Sequence, residues 1–255
     1  MCELFGFSGR EARELTSELR VFFSHGVNNP NGWGMARYDS GVFRLEVEAK
    51  PAHESAYLDS LLRQTVQSAA LLAHIRKATV GDVRVENCHP FYGQDDSGRG
   101  WMLIHNGTVF SGLNDRTYRD RVSGTTDSER LFYHLLDQQN AAFAAKGAPL
   151  TADERFRVTE ELVNRMSYRN KLNLILTDGD LLYVHVNMRG PLHQLKCPEG
   201  MLFSTLPLSD AAWESVPFTR LLAYRAGEPV FEGRDHGNEY RTGVEQATGK
   251  LDYII

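Results

Sequence analysis

Two consecutive helical stretches set between two strand-rich ones constrain the fold of this 255-residue chain more than any other feature. Thr126 and Glu129 fit a capping box, with Thr126 as the N-cap. They open a helix that carries Leu131, Phe132, Leu135 and Leu136 on one face. A second helix is predicted over 151–166, with Phe156, Leu162, Val163 and Met166 turned inward. The small-residue stretch 141–152 reads as the link between the two. Ahead of them, strands are predicted over 2–8, 35–38, 42–49, 69–76 and 100–105, the second and third forming a hairpin around Asp39, Ser40 and Gly41. Helices are predicted over 11–23 and 54–67. Behind them, 172–176 and 181–186 flank a turn, and 201–205, 219–226 and 229–232 read as further strands. Strands, two helices, then strands again imply an α+β fold with antiparallel sheets.

Composition excludes several classes. At 42% hydrophobic residues the chain can build a sizeable core, and it has no apolar run long enough to span a membrane. Its net charge of −5 implies no strong electrostatic attraction to nucleic acid or acidic lipid. No signal-peptide pattern begins it. The three cysteines, Cys2, Cys88 and Cys197, are odd in number and widely spaced, which implies a reducing compartment, so a cytoplasmic protein is expected. No Cys/His spacing suited to zinc occurs, so neither a metal nor a cofactor is expected.

Cys2 stands directly after the initiator Met1. If Met1 is removed, which the small side chain of Cys2 favours, one residue carries a thiol and a free α-amine. An ordinary α-amine has a pKa of roughly 7.7–8.0, so it can serve as the base that a thiol nucleophile needs. The plain alternative is a small apolar residue at the start of a strand.

Three further positions are ambiguous singly and coherent together. Arg76, at the end of a predicted strand, could hold a carboxylate bidentately, with Thr79 adding a contact; a surface salt bridge would explain it equally. Asn106 and Gly107 follow the strand over 100–105. A carboxamide and the next backbone N–H can aim at one point as an oxyanion hole, and Gly107 allows close approach and positive φ. An ordinary Asn-Gly turn is the alternative. Asp127 at a helix start could bind an ammonium, or merely complement the helix dipole. Cys88 beside His89 is a poor thiol–imidazole pair, because neighbours on an extended segment point apart. A nucleophile, an oxyanion hole and binders for an α-carboxylate and an α-ammonium together describe attack on the side-chain amide of an amino acid, with glutamine the obvious candidate.

Six short motifs occur in order: MCELFGFSG at the start, NGWGMA at 31–36, HIRKAT at 74–79, NCHPF at 87–91, HNG at 105–107 and TTDSE at 125–129. A later FSTLPL segment at 203–208 is followed by Trp213 and Val216-Pro217. On these residues, roughly 2–220, the chain resembles the class II glutamine amidotransferases, the N-terminal-nucleophile hydrolases with an amino-terminal Cys, and most of all the stand-alone YafJ-type and EgtC-type members. The resemblance implies a four-layer αββα sandwich over 1–255 with no attached synthetase domain. It implies Cys2 as nucleophile and Asn106 and Gly107 as the oxyanion hole. Arg76, helped by Thr79, would bind the α-carboxylate and Asp127 the α-ammonium. The loop 77–86 would be a lid, and the loop 26–34 would lie near the site. The substrate would be glutamine, with ammonia passed to a protein partner, or a larger γ-glutamyl amine or peptide. A catalytically silent binding module would be expected to lack one of these residues, and all are present.

Overall fold

The computed structural model describes residues 2–39, 41–79, 81–113, 115–190 and 192–241. Met1, Ser40, Val80 and the end of the expected 1–255 span therefore lie outside the described residues. In chain order the strands are β1 (Glu3–Glu14), β2 (Trp33–Asp39), β3 (Val42–Glu48), β4 (Gln67–Ile75), β5 (Phe91–Gln94), β6 (Gly100–His105), β7 (Leu174–Thr177), β8 (Leu182–His185), β9 (His193–Cys197), β10 (Gly200–Ser204), β11 (Glu214–Ser215), β12 (Leu221–Arg225) and β13 (Glu228–Glu232). The helices are α1 (Thr16–Ser24), α2 (Ala56–Leu62), α3 (Asp115–Tyr118), α4 (Asp127–Lys146) and α5 (Ala152–Met166).

The strands form two antiparallel sheets. One runs β11-β9-β10-β1-β4-β2-β3 and the other β13-β12-β8-β7-β6-β5. Side chains alternate across a strand, and here both faces are apolar. In β4, Leu71 and Ala73 pack outward with α1 and α2, whereas Leu72 packs inward. In β7, Leu174 and Leu176 pack outward with α4 and α5, whereas Ile175 packs inward. The inward set, with Leu4, Met102, Ile104, Val184 and Phe203, forms a core between the sheets. Three apolar layers thus separate four layers of structure, the expected αββα sandwich. Burial of each such Leu or Phe contributes about 1.5–3 kcal/mol. No described helix is long and apolar enough to cross a membrane.

Several boundaries differ from the sequence expectations. Residues 11–14 extend β1 instead of opening a helix, because Arg13 and Glu14 pair with Ser68 and Gln67 beyond an irregularity in the ladder. The helix expected over 54–67 shortens to α2, since Gln67 already belongs to β4. The stretch 141–146 is the last part of α4, and Gly147 ends it with φ 70°. A left-handed C-cap of that kind favours glycine. Thr126 caps α4 by accepting from the Glu129 N–H, but the Glu129 carboxylate turns instead to the N–H groups of Ser123 and Gly124. The reciprocal box forms at α5, between Thr151 and Glu154. Strands β5, β9 and β11 went unanticipated.

Candidate active site

The pairing of β1 with β4 decides where Cys2 lies. Glu3 faces Ile75 and Leu4 faces His74, so Cys2 comes alongside the residues just past β4. The Lys77 N–H donates to Cys2 Sγ over 3.3 Å, and the thiol lies 3.4 Å from the Lys77 carbonyl. Residues 3 and 4 are held firmly. The Leu4 N–H donates to Thr205 Oγ1 at 2.8 Å, and the Thr205 N–H returns to the Leu4 carbonyl at 3.0 Å. The buried Glu3 carboxylate is paired with His25 at 2.7 Å and accepts from Asn29 Nδ2 at 3.2 Å.

The second sheet delivers Asn106 to the same end of the sandwich. His74 Nε2 reaches the carbonyl of His105, the last residue of β6, at 3.3 Å. A carbonyl only accepts, so Nε2 carries the proton. Burial pushes the His74 imidazole down to about 3, so it is neutral. His105 Nε2 similarly donates to the Lys171 carbonyl at 3.2 Å, while its Nδ1 faces Ser128 Oγ at 2.9 Å. Burial lowers its pKa as well, opposed by the Asp127 charge.

Asn106 is fixed at three points. Its N–H donates to the Asn173 carbonyl at 2.8 Å, its carbonyl accepts from Asn173 Nδ2 at 3.0 Å, and its Oδ1 accepts from Lys171 Nζ at 3.4 Å. Asn106 Nδ2 is buried and has no hydrogen-bond partner among the described residues. A buried donor without an acceptor is costly, and it is what a site awaiting an oxyanion would present.

Gly107 is required for closeness. A Cβ there would sit 1.9 Å from the Lys171 carbonyl oxygen and 2.2 Å from His105 Nε2. Its φ is not in the left-handed region, so the expectation of positive φ is corrected while that of close approach stands.

Asp127 occupies the first turn of α4, and its Oδ2 accepts from the Val109 N–H at 2.6 Å. It ties the segment after Gly107 to the helix. Arg76 is buried. Its guanidinium donates to the carbonyls of Asp82 at 3.0 Å, Gly81 at 3.1 Å and Asn31 at 3.5 Å. It therefore grips the loop 77–86 from beneath. Asn87 clamps the same loop from the side, donating to the Asp82 carbonyl at 2.9 Å and exchanging bonds with the Thr125 N–H and Oγ1. Thr79 lies exposed on the loop. Asn31 Oδ1 accepts from the Ala78 N–H at 2.9 Å, which sets the segment just before β2 against the loop that carries Thr79.

Burial raises the pKa of the Cys2 thiol, opposed by the Lys77 N–H and by the charges of Arg76 and Lys171. Burial lowers that of Lys171, opposed by Cys2. Cys88 Sγ lies 3.5 Å from the carbonyls of both Glu48 and Arg84, whereas the His89 ring packs at a tilt against His74 with centroids 4.2 Å apart. Burial pushes the Cys88 thiol up to about 11, unsuited to a nucleophile. Cys2, Lys77, Lys171 and Asn106 are thus brought together; Gly107 follows Asn106 directly, and Asp127 on α4 reaches that segment through the Val109 N–H. Lys171 was missed from sequence. Its one signal was a cation at the start of an apolar run, as Arg76 is at the end of one.

The profile of the class-II glutamine amidotransferases matches residues 1–201. The chain belongs to that family. It is 28% identical over 182 residues to YafJ of Escherichia coli (strain K12), named as a candidate glutamine amidotransferase, with 70% of each chain covered. It is 27% identical over 207 residues to a Mycobacterium tuberculosis protein named gamma-glutamyl-hercynylcysteine sulfoxide hydrolase, covering 78% of this chain and 76% of that one. Among solved structures, a predicted glutamine amidotransferase from Pseudomonas aeruginosa PA01 aligns with a TM-score of 0.57 at 23% identity, covering 90% of this chain and 95% of that one. The glutamine phosphoribosylpyrophosphate amidotransferase from B. subtilis aligns with a TM-score of 0.64 at 15% identity, covering 91% of this chain and 49% of that one. The likenesses to the two solved structures show a shared fold.

Proposed function

We propose that the chain hydrolyses the side-chain amide of glutamine, or of a γ-glutamyl compound, through a thioester on Cys2. The observation that carries this reading is the buried, unpartnered Nδ2 of Asn106 in a cluster with the Cys2 thiol. Once Met1 is removed, the α-amine of Cys2 takes the thiol proton. The sulfur attacks the side-chain carbonyl carbon, and the negative oxygen settles between Asn106 Nδ2 and the Gly107 N–H. The tetrahedral intermediate collapses, the C–N bond breaks, and the α-amine returns the proton to the leaving amine. Water then cleaves the thioester, yielding glutamate and the thiol. No step calls for a metal or cofactor.

Arg76 would hold the α-carboxylate, with Thr79 beside it, and Asp127 the α-ammonium. The Arg76 donors now engage loop carbonyls, so an arriving carboxylate would exchange a neutral acceptor for a charged one and shift the loop 77–86. A carboxylate is the stronger acceptor for a guanidinium.

A second reading takes a larger γ-glutamyl amine or peptide as substrate. It is favoured by the likeness to the named γ-glutamyl hydrolase, and by Phe110, exposed three residues past Gly107 and stacked against Tyr240 with centroids 6.2 Å apart. Such a ring could receive a bulky leaving group, whereas ammonia could pass to a protein partner. Initial rates on L-glutamine and on a γ-glutamyl dipeptide separate the two. Preference for glutamine supports the amidotransferase reading, and preference for the dipeptide supports the hydrolase. Activity on neither, from a chain lacking Met1, would contradict both.

A further inference from the structure

We propose that Lys171 is a positioning residue for the thiol reaction: it selects the orientation of the Asn106 carboxamide and sets the charge beside Cys2. The proposal rests on the reading of Cys2 and Asn106 given above.

Lys171 is anchored by its own backbone. Its N–H donates to the Thr108 carbonyl at 3.1 Å, and its carbonyl accepts from the Thr108 N–H at 3.0 Å. That bridge spans the segment just after Gly107, so the lysine and the proposed oxyanion hole share one rigid unit. The residue is only 9% exposed, and its Nζ donates to Asn106 Oδ1 at 3.4 Å.

The chemistry of that contact is directional. A carboxamide presents an oxygen on one side and an NH₂ on the other, nearly equal in shape. A lysine ammonium only donates. It therefore accepts Asn106 in one orientation, with Oδ1 toward itself and Nδ2 left for the reacting carbonyl. The flipped carboxamide would set donor against donor and aim an oxygen at a developing oxyanion.

The same ammonium acts on Cys2. Of the described charged side chains, Arg76 and Lys171 both favour the thiolate against burial, and the thiolate in turn favours the Lys171 ammonium. Lys171 thus assists at two moments: when sulfur loses its proton, and when the carbonyl oxygen gains charge.

The test uses the full chain with Met1 removal verified by intact mass. Ammonia release from L-glutamine and p-nitroaniline release from γ-L-glutamyl-p-nitroanilide give kcat and KM. Iodoacetamide alkylation across pH gives the Cys2 midpoint. Lys171→Met is expected to lower kcat about 10- to 100-fold with KM changed by less than about 3-fold, because the lost interaction is made mainly in the transition state. The alkylation midpoint should move to higher pH, and Lys171→Arg should restore most of both. In an Asn106→Ala background, Lys171→Met should add less than its separate effect. If Lys171→Met does not fold, Lys171→Gln carries the same comparison.

Unchanged kcat and an unmoved alkylation midpoint in a folded Lys171 variant, with Asn106→Ala impaired, would overturn the proposal alone. An unimpaired Asn106→Ala would sink the oxyanion-hole reading instead. If neither substrate turns over, the alkylation midpoint still decides whether Lys171 acts on Cys2.

Discussion

His74 Nε2 donates to the backbone carbonyl of His105 across the two sheets, over 3.3 Å. One residue lies two positions before Arg76 and the other directly before Asn106. This bond therefore sets the spacing between the half of the site on β4 and the half on β6. Both imidazoles are buried, so water does not compete for it. Replacing His74 by Ala should cost about 1–3 kcal/mol from the unmet His105 carbonyl, beyond the loss of packing on His89. Urea melts check the stability. A loss of turnover larger than the fraction unfolded would show that sheet spacing matters to the chemistry.

Acid should destabilise the protein well above the carboxylate range. His74 and His185 are both pushed down to about 3 by burial, from an ordinary 6.5. Below about 6.5 the unfolded chain takes up protons on these groups while the folded chain does not. The stability they allow is present above about 6.5 and is lost as the pH falls toward about 3. Urea midpoints compared at about pH 7.5 and about pH 5 should show the drop, and His185→Gln should make it shallower.

Asn106→Ala should fold and fail to turn over. Its backbone bonds to Asn173 do not depend on the side chain. Loss of one oxyanion donor typically costs about 10²–10³ in kcat. A rate near that of the unaltered protein would remove Asn106 from the mechanism.

Gly107→Ala should fail differently. The new methyl would meet the Lys171 carbonyl and the His105 ring, both held in place by other bonds. Overpacking of this kind costs about 1–3 kcal/mol. Melting temperature and activity should fall together, unlike in Asn106→Ala.

Asn87→Ala should free the loop 77–86. Its side chain makes bonds of 2.7, 2.9 and 3.1 Å to Thr125 and Asp82. Without them the described part of the loop keeps its contacts with Arg76, Asn31 and Cys2. Limited proteolysis should cut the loop faster, and KM should rise more than kcat falls.

Much of this was legible in the sequence where one rule dominated. β6 matched its expected bounds because an apolar run ends abruptly at polar His105 and Asn106. Thr126 was legible as an N-cap because a hydroxyl just before an apolar-periodic run has few other uses. Residues 11–14 were misread because their charged side chains lie along an exposed stretch, where pairing with residues 67–68 decides the conformation. The end of α4 was misread because its alanines, small enough for a linker, are also the best helix formers. Lys171 carried only one weak local signal, a cation at the start of an apolar run. Its importance arises only when the Thr108 bridge brings it to Asn106, a contact between residues 65 positions apart.

The most direct test of the central claim is an intact mass before and after exposure to a diazo-ketone analogue of glutamine. A starting mass without Met1, a single adduct, and no adduct in Cys2→Ala are the expected results. A protein that lacks Met1 yet takes up no adduct, or that is labelled equally in Cys2→Ala, would contradict Cys2 as the nucleophile of a glutamyl-binding site.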